Sequence, residues 1–295
     1  MINFCHITPT PFLEVFAPMS GAHLILAHLV ESDPVYAKFY ADLDDGKPKI
    51  MDNSAFEMFK LGKSMYPSEK LIDLGKKVKA DYVVMTDYPK DHWTDTVNKA
   101  KEMMPELKAA GFKTFFCPQS VLGDMEGLLT SIEWALKEPG IDLIGLSILA
   151  CPIACGVNET TFNGHFHKAG LEHLSNDVKR NDAYKMQRFL SRWKVLTELK
   201  RRGSLKYVHD KFHCLGMVDG PNEIDLLSEF HQHIFSWDSS AAVWAGLNYI
   251  RFDQSPSGLM GGKFEHEVNF DHATCDLDSI KDAMYNCSFI NKKVQ

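Results

Sequence analysis

The chain contains no run of about 18 apolar residues, so no segment reads as a membrane-spanning helix. Its opening residues, Met1-Ile2-Asn3-Phe4-Cys5, lack the basic-then-apolar order of a signal peptide, and a cytoplasmic location is expected. No CxxC occurs, and the seven cysteines are scattered at 5, 117, 151, 155, 214, 275 and 287. An odd, unpatterned set argues against a disulfide framework and fits free thiols in a reducing compartment. Neither GxGxxG nor the P-loop pattern is present, so no glycine loop is available to cradle nucleotide phosphates. Short internal repeats and low-complexity tracts are also absent. Excess positive charge is lacking too: the net charge is −7, which argues against a general nucleic-acid coat.

What is present is a regular alternation. In 295 residues, 45% of them hydrophobic, short apolar runs take turns with helical patterns. Strands are expected at Ala22 to Val30, 49–54, 82–87, 113–119, Asp142 to Ile148, Phe212 to Val218, 234–238 and Leu247 to Phe252. Between them, Leu71, Leu74 and Val78 recur at helical spacing, as do Val97, Ala100, Met104 and Leu107, and then Leu128, Leu129, Ile132 and Leu136. Eight strands with crossover helices imply an α/β chain, a (β/α)8 TIM barrel in a single domain over 1–295. One stretch interrupts the rhythm after the fifth expected strand. Residues 149–176 are rich in Gly, Asn and His, and a basic helix follows over roughly 177–202. The insertion as a whole covers about 149–206.

In such barrels chemistry sits at the C-terminal ends of strands. Asp52, Asp87, Gln119, Ser147 and Asp238 fall there. Three carboxylates around one pocket repel each other unless a substrate, a proton or a metal compensates. Each alone can simply cap the next helix. Phe56, just beyond Asp52, suits a plate for a flat substrate, or core packing. A metal is the competing use: Cys151-x-x-x-Cys155 and His165-Phe166-His167 are suggestive, but no ligand set has zinc-type spacing. No metal and no cofactor is expected.

Charge is unevenly spread. Residues 177–206 hold ten Lys/Arg against three acids, a local +7 on an acidic chain. With Met186, Leu190, Trp193 and Leu196 on one stripe, the helix can show Lys185, Arg188, Arg192 and Arg202 to phosphates. The bland alternative is a solvated helix face.

The ordered strand ends resemble the tRNA-guanine transglycosylase superfamily, barrel enzymes that exchange a guanine for a 7-deazaguanine base. Asp52-Asn53-Ser54-Ala55-Phe56-Glu57 is similar to the family's Asp-Ser-Gly-Gly-Phe/Tyr-Gln stretch, and Ala80 to Asp87 to its next strand. Phe115 to Gln119, Gly145-Leu146-Ser147, Asp219-Gly220-Pro221 and Ile234 to Asp238 resemble the Gln-ending strand, the Gly-Leu-Ser/Ala strand, the Gly-Thr-Pro turn and the nucleophile strand. The likeness runs from about residue 9 to residue 250.

The chain departs from the family at Ser54-Ala55, where the motif has two glycines, and at Glu57, where it has glutamine. The Gln strand lacks its trailing glycine pair. The family's Cys-x-Cys-x-x-Cys…His zinc site, which helps to seat tRNA, is missing. That points to the DNA-modifying branch of bacteriophages and bacterial gene islands. The resemblance implies a glycosyltransferase (a pentosyltransferase) acting in a bacterial or phage-infected cell. Asp238 would attack the sugar, Asp52 would be the general acid and base, and Asp87, Gln119, Gly145 and Leu146 would read the purine edge, with Phe56 stacked on it. The partners implied are DNA, with tRNA second, and a 7-deazaguanine such as 7-cyano-7-deazaguanine; a homodimer is left open. The alternatives are a zinc-free tRNA enzyme, a two-carboxylate glycoside hydrolase with water as acceptor, and an inactive barrel that only binds nucleic acid.

Overall fold

The computed structural model describes residues 1–157, 186–217, 220–254 and 275–295. Its eight strands are β1 Asn3–His6, β2 His23–Leu26, β3 Lys49–Asp52, β4 Tyr82–Val84, β5 Lys113–Phe116, β6 Leu143–Ser147, β7 Phe212–Leu215 and β8 Ile234–Ser239. They form one all-parallel sheet in the order β1-β8-β7-β6-β5-β4-β3-β2. At the seam between β1 and β2, the Gly21 N–H donates to the Phe4 carbonyl at 2.7 Å. A Cβ on Gly21 would sit 3.1 Å from the Asn3 Cα, so the absence of a side chain lets the two edges approach. The fold is a (β/α)8 barrel.

Strand residues alternate between two apolar layers, as a pleated chain requires. Ile50, Tyr82, Val84, Phe115 and Leu143 point into the barrel with Cys5 and Leu24. Met51, Val83, Phe116 and Ile144 point outward against the helices.

The helices are α1 Leu13–Phe16, α2 Ala27–Ser32, α3 Pro34–Asp42, α4 Ala55–Lys60, α5 Ser68–Val78, α6 Trp93–Ala109, α7 Met125–Lys137, α8 Ala150–Ala154, α9 Ser191–Arg201, α10 Asn222–Leu226, α11 Ala241–Leu247 and α12 Leu277–Lys293. Their starts follow local chemistry. Asp33 caps α3 through Val35 N and Tyr36 N, Asp124 caps α7 through Gly127 N, and Asp276 caps α12 through Asp278 N and Ser279 N.

Three expectations are corrected. The first strand is Asn3–His6, beside the terminus and with polar residues at both ends, so it does not read as a buried run. Leu247 to Phe252 is not a strand: α11 runs through Leu247, and Tyr249 takes a left-handed φ of 61°. Asp238 therefore ends the eighth strand, not the seventh, and the stretch after Ser147 follows the sixth. The basic helix also differs. Its described part turns at Leu190 and continues as α9, which buries Arg192, Val195, Leu196 and Leu199, whereas Met186 is exposed. Residues 158–185, with His165, His167 and Lys185, lie outside the described residues.

Arg192 carries the largest correction. It has no solvent exposure and is locked to Glu223, with Nε on Oε1 at 2.7 Å and Nη2 on Oε2 at 2.6 Å. The same guanidinium donates to the carbonyls of Leu146, Leu215 and Gly216, and its centre lies 4.8 Å from the Trp237 ring. It cannot reach a phosphate; it ties together the ends of β6, β7 and β8. Removing one member of a buried pair leaves the other charge uncompensated, at a cost of about 3–5 kcal/mol. Arg192→Met should lose that much in urea unfolding. The double variant Arg192→Met/Glu223→Leu should recover a large part of it.

Candidate active site

The pocket at the C-terminal mouth of the barrel has a volume of about 230 Å³. Asp52, Glu57, Asp87 and Asp238 line it, with Asn53, Cys117, Gln119 and Ser147; Phe56, Leu24, Leu26, Val84 and Leu215 supply apolar wall. Among the described residues, no Lys, Arg or His lines it.

Asp238 owes its direction to an irregularity in β8. Phe212 pairs with Ile234 but His213 pairs with Ser236, so Phe235 is an extra residue opposite their junction. Phe235 points into the barrel, 5.9 Å from the Tyr82 ring. Strict alternation from there would send Asp238 outward. The bulge shifts the phase, so Trp237 goes to the outer layer and Asp238 to the pocket. Once inward, Asp238 Oδ1 accepts from His213 Nε2 at 2.9 Å and from the Gly216 N–H at 3.1 Å. As a carboxylate it can only accept, so the imidazole donates through Nε2, and its Nδ1 takes the Ser236 hydroxyl at 2.6 Å. Among the described residues, both bonds fall on Oδ1.

Asp52 ends β3, three strands away around the barrel. Its Oδ2 accepts the Ser54 N–H at 2.8 Å. Ser54 has a φ of 55°, a left-handed conformation that costs a residue with a Cβ about 1–3 kcal/mol. Its hydroxyl offsets part of this by bonding His28, accepting the backbone N–H at 3.1 Å and donating to Nδ1 at 2.9 Å. Burial, then the negative charge of Glu57, and further those of Asp87 and Asp238, push the Asp52 carboxyl well above the usual range. A carboxylic acid at that position holds a proton to give.

Asp87 is buried and clamped from two sides. Asn53 Nδ2 donates to Oδ1 at 2.7 Å, and Gln119 Nε2 donates to Oδ2. Asn53 also donates to the Met85 carbonyl at 2.6 Å, which fixes its amide. Burial raises the Asp87 carboxyl to about 6, with the two amides pulling it back down.

The structure thus brings Asp52, Asp87, Asp238, Gln119 and Phe56 to one pocket. Gly145 and Leu146 do not line it. Gly145 lies in the sheet, and the space its side chain would take is filled by Phe115 and Leu215. Leu146 faces the outer layer and gives its carbonyl to Arg192. Ser147, Ile148 and Leu149, just beyond them, line the pocket instead. Cys117 is buried and also lines the pocket.

Of the four basic residues expected to hold nucleic acid, Arg192 is buried and Lys185 lies outside the described residues. Arg202 is forked onto Glu126 and bonded to Glu198, so its charge is spent within the protein. Arg188 is half-buried. Among the described residues, no three His, Cys, Asp or Glu come together as a metal-ligand set, and no helix is long and apolar enough to cross a membrane.

Asn53, His213, Ser236 and Gly216 escaped the sequence reading. The available signal was a histidine in the apolar strand Phe212 to Leu215, where a buried ring needs polar partners.

No family model matches this chain, and no curated protein does.

Asp87 gives the site a measurable pH signature. Its native carboxyl titrates near 6, against about 3.9 in an unfolded chain. Between those values the native state binds the extra proton, so stability falls as pH rises and levels off above about 6. The drop is about 3 kcal/mol. Urea unfolding at pH 4.5 and pH 7 spans most of that drop and should show wild type losing about 2 kcal/mol relative to Asp87→Asn. Parallel pH dependence in the two proteins would count against a buried, raised Asp87.

Proposed function

We propose that this chain is a base-exchange transglycosylase. It replaces guanine in a polynucleotide, DNA in the first instance, by a 7-deazaguanine such as 7-cyano-7-deazaguanine, as the resemblance to the tRNA-guanine transglycosylase superfamily implies. One observation carries the reading: a raised Asp52 carboxyl and an Asp238 held by two fixed hydrogen-bond donors share a pocket with an amide-clamped Asp87.

Asp238 is the nucleophile. One of its oxygens bonds to the sugar C1′ while the C1′–N bond to guanine breaks, and Asp52 protonates the leaving nitrogen. In the second half, Asp52 takes the proton from the incoming base as its nitrogen bonds to C1′, and the Asp238 carboxylate leaves. Atoms and charge balance without an external oxidant or reductant. Asp87 keeps acceptor capacity for the N–H groups of a purine edge, with Asn53 and Gln119 holding it in register. Phe56 stacks on the ring. The target base must leave its stack to reach this depth.

Local backbone supports the resemblance. Ser54 adopts a left-handed φ of 55° at a position where the family motif has glycine, the residue that tolerates that conformation best.

The decisive measurement is incorporation of labelled guanine into DNA, with tRNA in parallel. Wild type should form a denaturant-stable protein–DNA adduct, and Asp238→Asn should form none. Asp52→Asn should slow exchange by about two to four orders of magnitude while still binding substrate, and turnover at the wild-type rate across pH 5–9 would remove it from the mechanism. Guanine release that leaves an abasic site would assign the same carboxylates to a hydrolase. Labelling of tRNA alone would make the chain a zinc-free tRNA enzyme.

A further inference from the structure

A polynucleotide substrate brings phosphates to a mouth that repels them. Among the described residues, four acids line the pocket and no cation does, which favours a phosphate contact outside it. Among the described residues of the face expected to do this, Arg192 is buried on Glu223, Arg202 is forked onto Glu126, Arg201 is bonded to Glu198 and Lys200 to Glu229.

A different cationic edge lies at the rim. After Ala55, Phe56 and Glu57 line the pocket, α4 and its exit turn run outward through Phe59, Lys60, Leu61, Gly62 and Lys63, all exposed. Phe56 is 49% exposed, Phe59 44% and Leu61 62%. These are large values for apolar side chains beside a buried site. Pro89 also lines the pocket, and the next residue, Lys90, holds its ammonium 5.3 Å from the Phe59 ring centre. Lys60, Lys63 and Lys90 form no ion pair among the described residues. The acid that Lys63 influences, Glu31, is already paired with Lys70 at 2.7 Å. Glu57, at the inner end of the edge, belongs to the pocket wall. Exposed rings alternating with uncompensated ammonium groups are what single-stranded nucleic acid uses: the rings stack on bases and the cations meet phosphates.

We infer that Phe56 to Lys63, with Lys90 beside it, is a docking lip for single-stranded DNA. It holds the nucleotides next to the one whose base enters the pocket. The inference rests on the base-exchange reading for its choice of partner, but it is tested by binding alone.

The probe is a short fluorescent single-stranded DNA containing guanine, followed by anisotropy over a salt series. Lys60→Glu/Lys63→Glu/Lys90→Glu should weaken binding at least tenfold at low salt. It should also lower the log–log salt slope by about 2, since each phosphate contact on a single strand contributes about 0.7. Phe59→Ala should weaken binding about tenfold through lost stacking while leaving the slope nearly unchanged. Lys76→Glu/Lys137→Glu/Lys206→Glu makes the same change in net charge at exposed sites elsewhere. It should have a much smaller effect.

Equal loss in both triple variants, or in neither, overturns the lip. Wild type that fails to bind the strand overturns both the lip and the choice of a polynucleotide substrate. Binding through the lip without any covalent adduct leaves the lip standing and removes base exchange. Exchange at the wild-type rate in the lip variant does the reverse. Tighter binding of the same strand as RNA overturns the choice of DNA.

Discussion

The buried guanidinium of Arg192 is the contact on which the pocket's geometry depends. Parallel strands stop donating and accepting at their C-terminal ends, and the carbonyls there need partners. Arg192 supplies them for β6 and β7 at once, through Leu146, Leu215 and Gly216, while Glu223 compensates its charge. Gly216 is the relay. Its carbonyl accepts from Arg192 and from Trp237 Nε1, and its N–H reaches Asp238. Gly216 has a φ of 72°, which only glycine adopts without strain, and its plain backbone turns the peptide toward both neighbours. The ion pair is expensive to desolvate, and stability alone does not favour it over an apolar pair. Its geometry does: five N–H donors in one rigid plane can fix three carbonyls and a carboxylate together, and no aliphatic side chain can do that.

Periodicity made the barrel legible. Ile50, Tyr82, Phe115 and Leu143 alternate cleanly with outward neighbours, and the strand-end carboxylates followed from the rule that loops after strands carry the chemistry. Three things were hidden. β1 reads Asn-Phe-Cys-His, two apolar residues between polar ends beside the N-terminus, and the apolar residues near Leu247 offered a false eighth strand in its place. The bulge at Phe235 cannot be seen in one strand, because it is a property of the pairing with β7. The reading found Asp238 only because the resemblance and the strand end agreed. The arginines failed for a related reason: a charge count along a helix does not say which charges face inward. Arg192 shares α9 with Arg201, yet it sits among Val195, Leu196 and Leu199 on the buried side.

Electrostatically, the pocket separates two chemically identical side chains. Asp238 receives two hydrogen bonds from fixed donors, an imidazole N–H and a backbone N–H, which stabilise negative charge on one oxygen. Asp52 receives one, and it also faces burial and three other acids that oppose its ionisation. Burial and the neighbouring acids leave Asp52 holding a proton, and two fixed donors position the Asp238 carboxyl. That is the division of labour proposed for base exchange, where a carboxylate must attack as a leaving base is protonated. The arrangement also couples the two steps. In the proposed reaction, once Asp238 is consumed in a bond to the sugar, one of the charges that keeps Asp52 protonated is removed. Asp52 then gives up its proton more readily, at the point where the leaving nitrogen needs one.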